Sequence, residues 1–170
     1  EESKAWLERA RSTGYFSLAC LSANLCRFFR NPLLYLAAFF KTFWFNIPSF
    51  KFLIRALYIF PIAVWMAEKI EALKIDHIHA HYATHPALAA YIISTFTGIP
   101  YSITVHAHDI YVNRTMLAQK AKKAQFIRAI SEFNKQFLGS HLGNWITDKT
   151  YVIHCGIRPD IYEPGSKTRL

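Results

Sequence analysis

The strongest constraint on the fold of this chain is an alternation of helix and strand patterns after residue 62. Short β-rich segments at 76–81, 101–105, 125–130 and 150–154 are predicted strands, and segments 62–74, 86–97, 116–124 and 132–142 are predicted helices. Pro86 falls in the first turn of one helix, and Ser131 can cap another. Alternating units of this kind form a parallel sheet. We therefore predict an α/β fold over residues 62–165, with helices on both faces of the sheet.

The segment at residues 12–67 differs in composition from the rest of the chain. It contains five basic residues, many aromatic residues and no Asp or Glu. A helix that spans a bilayer needs about 20 consecutive apolar residues. The apolar runs in this segment are interrupted by charged residues and prolines: Lys41, Pro48, Lys51, Pro61 and Glu68. We predict that residues 1–61 form a helical, aromatic and basic part of the same domain, without a spanning helix.

Two interpretations of this segment stay open. Its helices could pack on the domain core and turn their basic residues to water. Alternatively, aromatic and basic side chains could lie at the headgroup level of an anionic membrane, which the lack of acidic residues favours. The side chains predicted to face such a membrane are Arg27, Arg30, Lys41, Trp44, Lys51 and Arg55.

The formal net charge of +9 also predicts an anionic partner, which could be a membrane, a nucleic acid or a phosphorylated substrate. We expect no nucleic acid, because the chain has no recognition motif and its basic residues are spread along its length. The three cysteines, Cys20, Cys26 and Cys155, form no disulfide framework and are expected to be free thiols in a reducing cytosol.

Six of the eight histidines lie between residues 77 and 108. On a strand, His77, His79 and His81 would share one face, and His106 and His108 follow the next predicted strand beside Asp109. The carboxyl ends of parallel strands form the ligand crevice of open α/β sheets. The histidines could bind zinc, hydrogen-bond a sugar or phosphate, or bond backbone carbonyls in the core. No common metallohydrolase spacing is present, so no metal ligand is assigned.

Several motifs in this half resemble glycosyltransferase family 4. These are Asp76–Tyr82 (DHIHAHY), Gly98–Ile110 (GIPYSITVHAHDI), Ser131–Asn134 (SEFN) and Val152–Ile157 (VIHCGI), followed by Tyr162-Glu163-Pro164. The resemblance implies the acceptor-side, Rossmann-like half of a GT-B enzyme, which binds a glycan or lipid-linked acceptor. It also implies catalytic roles for His106 and Asp109. The expected acceptor or cleft residues are His79, His81, His108, Ser131, Glu132 and Gly156, and Gly156 is expected to need a positive φ.

The resemblance further implies a retaining transferase that uses a nucleotide-sugar. Its donor-binding domain would follow Pro164, with residues 166–170 as the start of the linker. We therefore expect no cofactor in this chain, and activity only together with a donor domain. Such an enzyme would build envelope polysaccharide from the cytoplasm, at the inner face of the cell membrane. The alternatives are a non-catalytic membrane-surface module and a metal-dependent hydrolase.

Overall fold

A computed structural model describes residue 10 and residues 12–156. Three helices come first: α1 (Leu18–Arg30), α2 (Pro32–Trp44) and α3 (Phe50–Ala72). The sheet part follows, with β1 (Ile78–His81), α4 (His85–Thr97), β2 (Tyr101–Val105), α5 (Ala107–Tyr111), α6 (Leu117–Lys123), β3 (Phe126–Ala129), α7 (Glu132–Leu142), a 3₁₀ turn (Asn144–Lys149) and β4 (Thr150–Val152). The predicted linker at 166–170 lies outside the described residues.

The four strands are parallel and lie in the order β1-β2-β3-β4. This arrangement, flanked by helices, confirms the predicted α/β class. The strand at Tyr101–Val105 and the helix at Glu132–Leu142 have the predicted limits. The other three strands are shorter than predicted, although the amides of Gln125 and Ile153, just outside β3 and β4, still donate to the Tyr101 and Ala129 carbonyls at 2.7 and 3.0 Å.

The two faces of the sheet carry different side chains. The face towards the core carries Ala80, Ile103 and Ile127, which are buried against the apolar sides of the helices. On the opposite face, the registers place His81, Thr104, Arg128 and Tyr151 in one row across the strands. This polar face of the sheet therefore holds the histidines that the sequence placed on one side of β1.

Helices α1 and α2 begin at capping side chains. The Ser17 hydroxyl accepts a hydrogen bond from the Cys20 amide, and the Asn31 side chain accepts one from the Leu34 amide. Pro32 stands in the first turn of α2, where its missing N–H has no cost. These caps satisfy amide groups that the first helical turn leaves without partners.

Helix α3 corrects the expectation that Pro61 interrupts the apolar run around it. It continues through Pro61 for 23 residues and crosses the predicted boundary at residues 61 and 62. Its 18-residue apolar window is long enough to cross a membrane by length and composition, and 39% of that window is buried inside the protein. Buried residues including Ala56, Phe60 and Ala63 belong to the core shared with α4, so one side of α3 packs within the protein.

Arg27 provides a second correction, since it does not face a membrane. Only 5% of it is exposed, and its guanidinium forms ion pairs with Glu68 and Glu71 of α3. The Arg27 Nη2 to Glu71 Oε2 distance is 2.6 Å. Arg27 therefore joins α1 to α3, as does Asn24, whose side-chain amide donates to the Pro61 carbonyl at 3.0 Å.

Candidate active site

Two histidines meet at the carboxyl edge of the sheet. His81 ends β1, and His106 follows β2 directly. Their Nε2 atoms are 3.2 Å apart. One ring must donate and the other accept, so two neutral imidazoles here hold complementary tautomers. The two Nε2 atoms satisfy each other, so a ligand hydroxyl can engage either one by replacing this hydrogen bond, at the edge where open α/β sheets bind ligands.

Tyr82 completes an aromatic cluster with this pair. Its ring centroid lies 4.6 Å from that of His106 and 4.7 Å from that of His81. The backbone of Tyr82 has φ 87°, a region that residues with a side chain seldom occupy. Such backbone strain concentrates at functional sites, where the surrounding structure holds it. Here it turns the chain after β1 so that the Tyr82 ring meets His106.

Asp109 holds the two loops that carry these rings. Its Oδ2 atom accepts hydrogen bonds from the backbone amides of Ala83, at 2.9 Å, and His106, at 3.2 Å. Only 2% of Asp109 is exposed. The carboxylate therefore joins the turn after β1 to the turn after β2. Asp109 thus positions His106 through its backbone amide, while its predicted catalytic role stays a prediction.

His79 and His77 continue the row of histidines below the edge. His79 Nδ1 lies 2.8 Å from Ser102 Oγ, and His79 Nε2 lies 2.9 Å from Thr104 Oγ1. His77 Nε2 contacts the same Ser102 hydroxyl at 2.8 Å. Both imidazole nitrogens of His79 are thus bonded within the protein. His79 consequently orders the polar face, while its predicted contact with an acceptor stays a prediction.

The environment favours neutral histidines. Burial, followed by the neighbouring His81, lowers the pKa of His106, and Asp109 opposes this change. Burial and the neighbouring His81, His77 and Arg128 also lower the pKa of His79. Near neutral pH these rings are therefore uncharged. A neutral His106 can hydrogen-bond a sugar hydroxyl and can accept its proton.

The remaining predicted residues lie around the edge without joining the ring cluster. His108 is exposed on α5, and Glu132 is exposed in the first turn of α7. The Ser131 hydroxyl caps α7 by accepting a hydrogen bond from the Asn134 amide at 3.2 Å. Gly156 is exposed and is not among the glycines with positive φ, so that prediction was wrong. Its Cβ would meet no atom within 4 Å.

Two basic residues near the site were missed in the sequence. Arg128 of β3 lies in the same row as His81, and it donates to the Ile153 and His154 carbonyls at 3.3 and 3.4 Å. Lys120 of α6 is buried and donates to the Thr84 carbonyl at 3.3 Å, and burial lowers its pKa to about 7. Phe126, Arg128 and Ile130 alternate with the residues between them along the chain. This two-residue period of a strand could have placed Arg128 on the polar face. No local signal marks Lys120.

The metal interpretation finds no supporting geometry in the part of the chain that the structure describes. Within residue 10 and residues 12–156, no three His, Cys, Asp or Glu side chains are grouped so that they could hold a metal ion. His81 and His106 are joined instead by Tyr82 and by the hydrogen bond between their rings.

Comparison with known proteins bears on the whole arrangement. No curated protein matches the chain. The family model for Glycosyltransferase Family 4 matches residues 26–161, which includes the sheet, the ring cluster and most of the three amino-terminal helices. The match begins well before the motifs at 76–164, so α2 and α3 are also part of the family's fold. The chain therefore belongs to glycosyltransferase family 4.

Proposed function

We propose that this chain is the acceptor-binding domain of a retaining glycosyltransferase. The reaction transfers a sugar from a nucleotide-sugar, held by a donor domain, to a hydroxyl of a glycan or lipid-linked acceptor. Family membership supports the transferase class. The observation that carries the acceptor role is the cluster of His81, Tyr82 and His106 at the carboxyl edge of the sheet.

The cluster offers what a sugar acceptor requires. An acceptor hydroxyl that replaces His81 as the hydrogen-bond partner of His106 Nε2 can transfer its proton to this nitrogen as the new glycosidic bond forms. His81 Nε2 lies 3.2 Å from this nitrogen and orients the His106 ring. Asp109 holds the backbone of His106 in place. Tyr82, 45% exposed, offers an aromatic surface and a hydroxyl next to the His106 ring.

Acceptor binding is tested first on this chain alone. Candidate oligosaccharides and lipid-linked sugars are titrated while the imidazole proton signals of His81 and His106 are followed by NMR. We expect an acceptor to shift these two signals and to leave those of His141, an exposed histidine on α7, unchanged. If every acceptor class left the His81 and His106 signals unmoved, the proposed acceptor site would be wrong.

The transfer reaction is tested in the gene product that contains this chain. His106→Ala is expected to reduce kcat by about 10²–10⁴-fold, the usual contribution of a positioned acid–base group. His141→Ala is the matched control and should retain full activity. A His106→Ala enzyme with unchanged kcat would remove His106 from the reaction. Sugar transfer by the wild type with inversion at the anomeric carbon would contradict the retaining mechanism.

We also propose that the three amino-terminal helices dock on the anionic inner face of the cell membrane. Each helix exposes large apolar side chains at helical spacing: Leu18, Leu21, Leu25 and Phe29 on α1, Leu33, Leu36, Phe40 and Trp44 on α2, and Phe50, Ile54 and Leu57 on α3. Arg30, Lys41, Lys51 and Arg55 are exposed in the same helices. Aromatic and basic side chains without acidic neighbours are typical of a surface that binds anionic lipid.

Sedimentation with vesicles tests the docking proposal. The wild type should sediment with vesicles that contain phosphatidylglycerol at low salt, and much less with pure phosphatidylcholine. A variant with Leu25, Phe29 and Phe50 changed to Ser should lose this binding. The matched control changes Val112, Phe133 and Tyr151 to Ser, which removes exposed apolar side chains from the sheet part. Equal binding by both variants would contradict docking through the helices.

A further inference from the structure

A cavity between α2, α4 and α6 concentrates positive charge outside the ring cluster. It has a volume of about 370 Å³ and is lined by Lys41, Lys122 and Lys123, together with Phe45, Tyr91 and Gln119. None of these residues belongs to the candidate active site. A cavity of this size is within the range that holds a small ligand group.

The lysines of this cavity have no acidic partner among the described residues. The ion pairs among the described residues join Arg27 to Glu68 and Glu71. None of them involves Lys41, Lys122 or Lys123. The Lys123 ammonium donates to Thr95 Oγ1 at 2.5 Å and lies 5.1 Å from the centre of the Tyr91 ring. Burial, followed by the charge of Lys41, lowers the pKa of Lys123 to about 8. An anion in the cavity would relieve this repulsion.

An apolar groove adjoins the lysine cavity. It has a volume of about 380 Å³ and is lined by Phe40, Phe43, Trp44 and Ile47, and it shares Lys41 and Phe45 with the cavity. Trp44 is 70% exposed and Phe40 is 64% exposed. A basic cavity and an aromatic groove thus share a wall on the surface proposed to face the membrane.

We propose that the cavity and groove together bind one anionic lipid molecule. Its phosphate lies among Lys41, Lys122 and Lys123, and an acyl chain lies along the aromatic groove. Lysine binds phosphate as a point charge, and the groove removes apolar chain surface from water. This inference rests on the membrane docking proposed above, and it names the lipid that the docked protein selects.

A short-chain phosphatidylglycerol below its micelle concentration tests the site without a membrane. We expect saturable binding of one lipid per chain by calorimetry. A variant with Lys41, Lys122 and Lys123 changed to Gln should bind at least about tenfold more weakly, because the phosphate loses its charge-assisted contacts. Lys69→Gln with Lys74→Gln and Lys135→Gln is the control that loses the same charge elsewhere, and it should bind like the wild type.

The acyl chain is located by quenching. Phosphatidylglycerol brominated on its chains should quench tryptophan fluorescence in the wild type, and Trp44→Phe should remove this quenching. Equal binding of the lipid by both triple-lysine variants would overturn the site. So would equally tight binding of inorganic phosphate or of short-chain phosphatidylcholine. If the site binds soluble lipid but the chain fails to sediment with anionic vesicles, the docking proposal fails and the site stands.

Discussion

The three amino-terminal helices and the sheet place their apolar and polar residues in opposite ways. Helices α1 to α3 expose large apolar side chains such as Phe29, at 75%, and Trp44, at 70%. The sheet buries its apolar residues on one face and presents histidines, hydroxyls and Arg128 on the other. The difference is consistent with two separate binding surfaces, and the ligands that we propose are a membrane for the helices and a sugar acceptor for the sheet edge.

The largest expected change in the free energy of unfolding is at a buried aromatic residue of the helical part, in contrast to its exposed aromatic residues. Phe60 is 1% exposed and contacts the rings of Tyr35, Phe39 and Phe96, which join α2, α3 and α4. Phe60→Ala should lower the free energy of unfolding by about 3–5 kcal/mol, because it leaves a cavity in a shared core. Urea denaturation followed by circular dichroism measures this loss.

Phe29→Ala is the matched control for Phe60→Ala. Phe29 is exposed, and we expect its truncation to change the free energy of unfolding by less than about 0.5 kcal/mol. The same variant should weaken sedimentation with anionic vesicles. A loss of stability comparable to that of Phe60→Ala would show that the apolar stripe on α1 is covered in the folded protein. The contrast between buried and exposed aromatic residues would then be wrong.

The next effect concerns the buried charge in the helical part. Changing Glu68 and Glu71 together to Gln keeps their shapes but leaves the buried Arg27 guanidinium without a counter-charge. We expect this double variant to lose about 3 kcal/mol of unfolding free energy. Arg27→Met should cost less, because no buried charge remains. If Arg27 faced a membrane instead, neither change would alter denaturant unfolding, and a reversed order would contradict the buried pair.

In the sheet part, a substitution at Asp109 should change the free energy of unfolding by a smaller amount. Asp109→Asn keeps the shape but exchanges two charge-assisted hydrogen bonds, to the amides of Ala83 and His106, for neutral ones. We expect a loss of about 1–2 kcal/mol of unfolding free energy. The pKa of His106 should also fall, because Asp109 now raises it. Asp148→Asn, at an exposed acid, is the control for both the denaturation and an NMR titration of His106. An unchanged His106 pKa would contradict the positioning role.

The sequence predicted those elements whose signals are local. The limits of Tyr101–Val105 and Glu132–Leu142 follow from a β-rich run ended by polar residues and from the Ser131 cap, and both agree with the structure. The placing of His77, His79 and His81 on one face follows from the period of a strand, and the hydrogen bonds to Ser102 and Thr104 agree with it. Period and capping need no knowledge of distant residues.

Apart from the positive φ expected at Gly156, the predictions that needed correction depended on distant partners. Pro61 removes one helical hydrogen bond, but the burial of Ala56 to Ala67 along α4 keeps α3 continuous. Arg27 was expected to face a membrane because the segment around it has no acidic residue. Its partners Glu68 and Glu71 lie on another helix, far along the sequence. The bond from the Ala83 amide to Asp109 also links two separate loops, and no pattern in the local sequence predicted it.

The smallest expected effect is the pH dependence that the histidine row gives to the sheet part. Burial and the neighbouring His81, His77 and Arg128 hold the pKa of His79 below its ordinary value of 6.5 in the folded chain. The unfolded chain therefore binds more protons than the folded one as the pH falls below about 6.5. The stabilising contribution of neutral His79 is fully present above that pH and is lost as the pH falls towards the lowered folded pKa.

His79→Gln, which cannot be protonated, should show a flatter fall in the urea midpoint between about pH 8 and about pH 5. His108→Gln, at an exposed histidine of α5, should keep the wild-type slope. An unchanged slope in His79→Gln would mean that water reaches the row freely, and the polar face would then resemble an ordinary solvated surface.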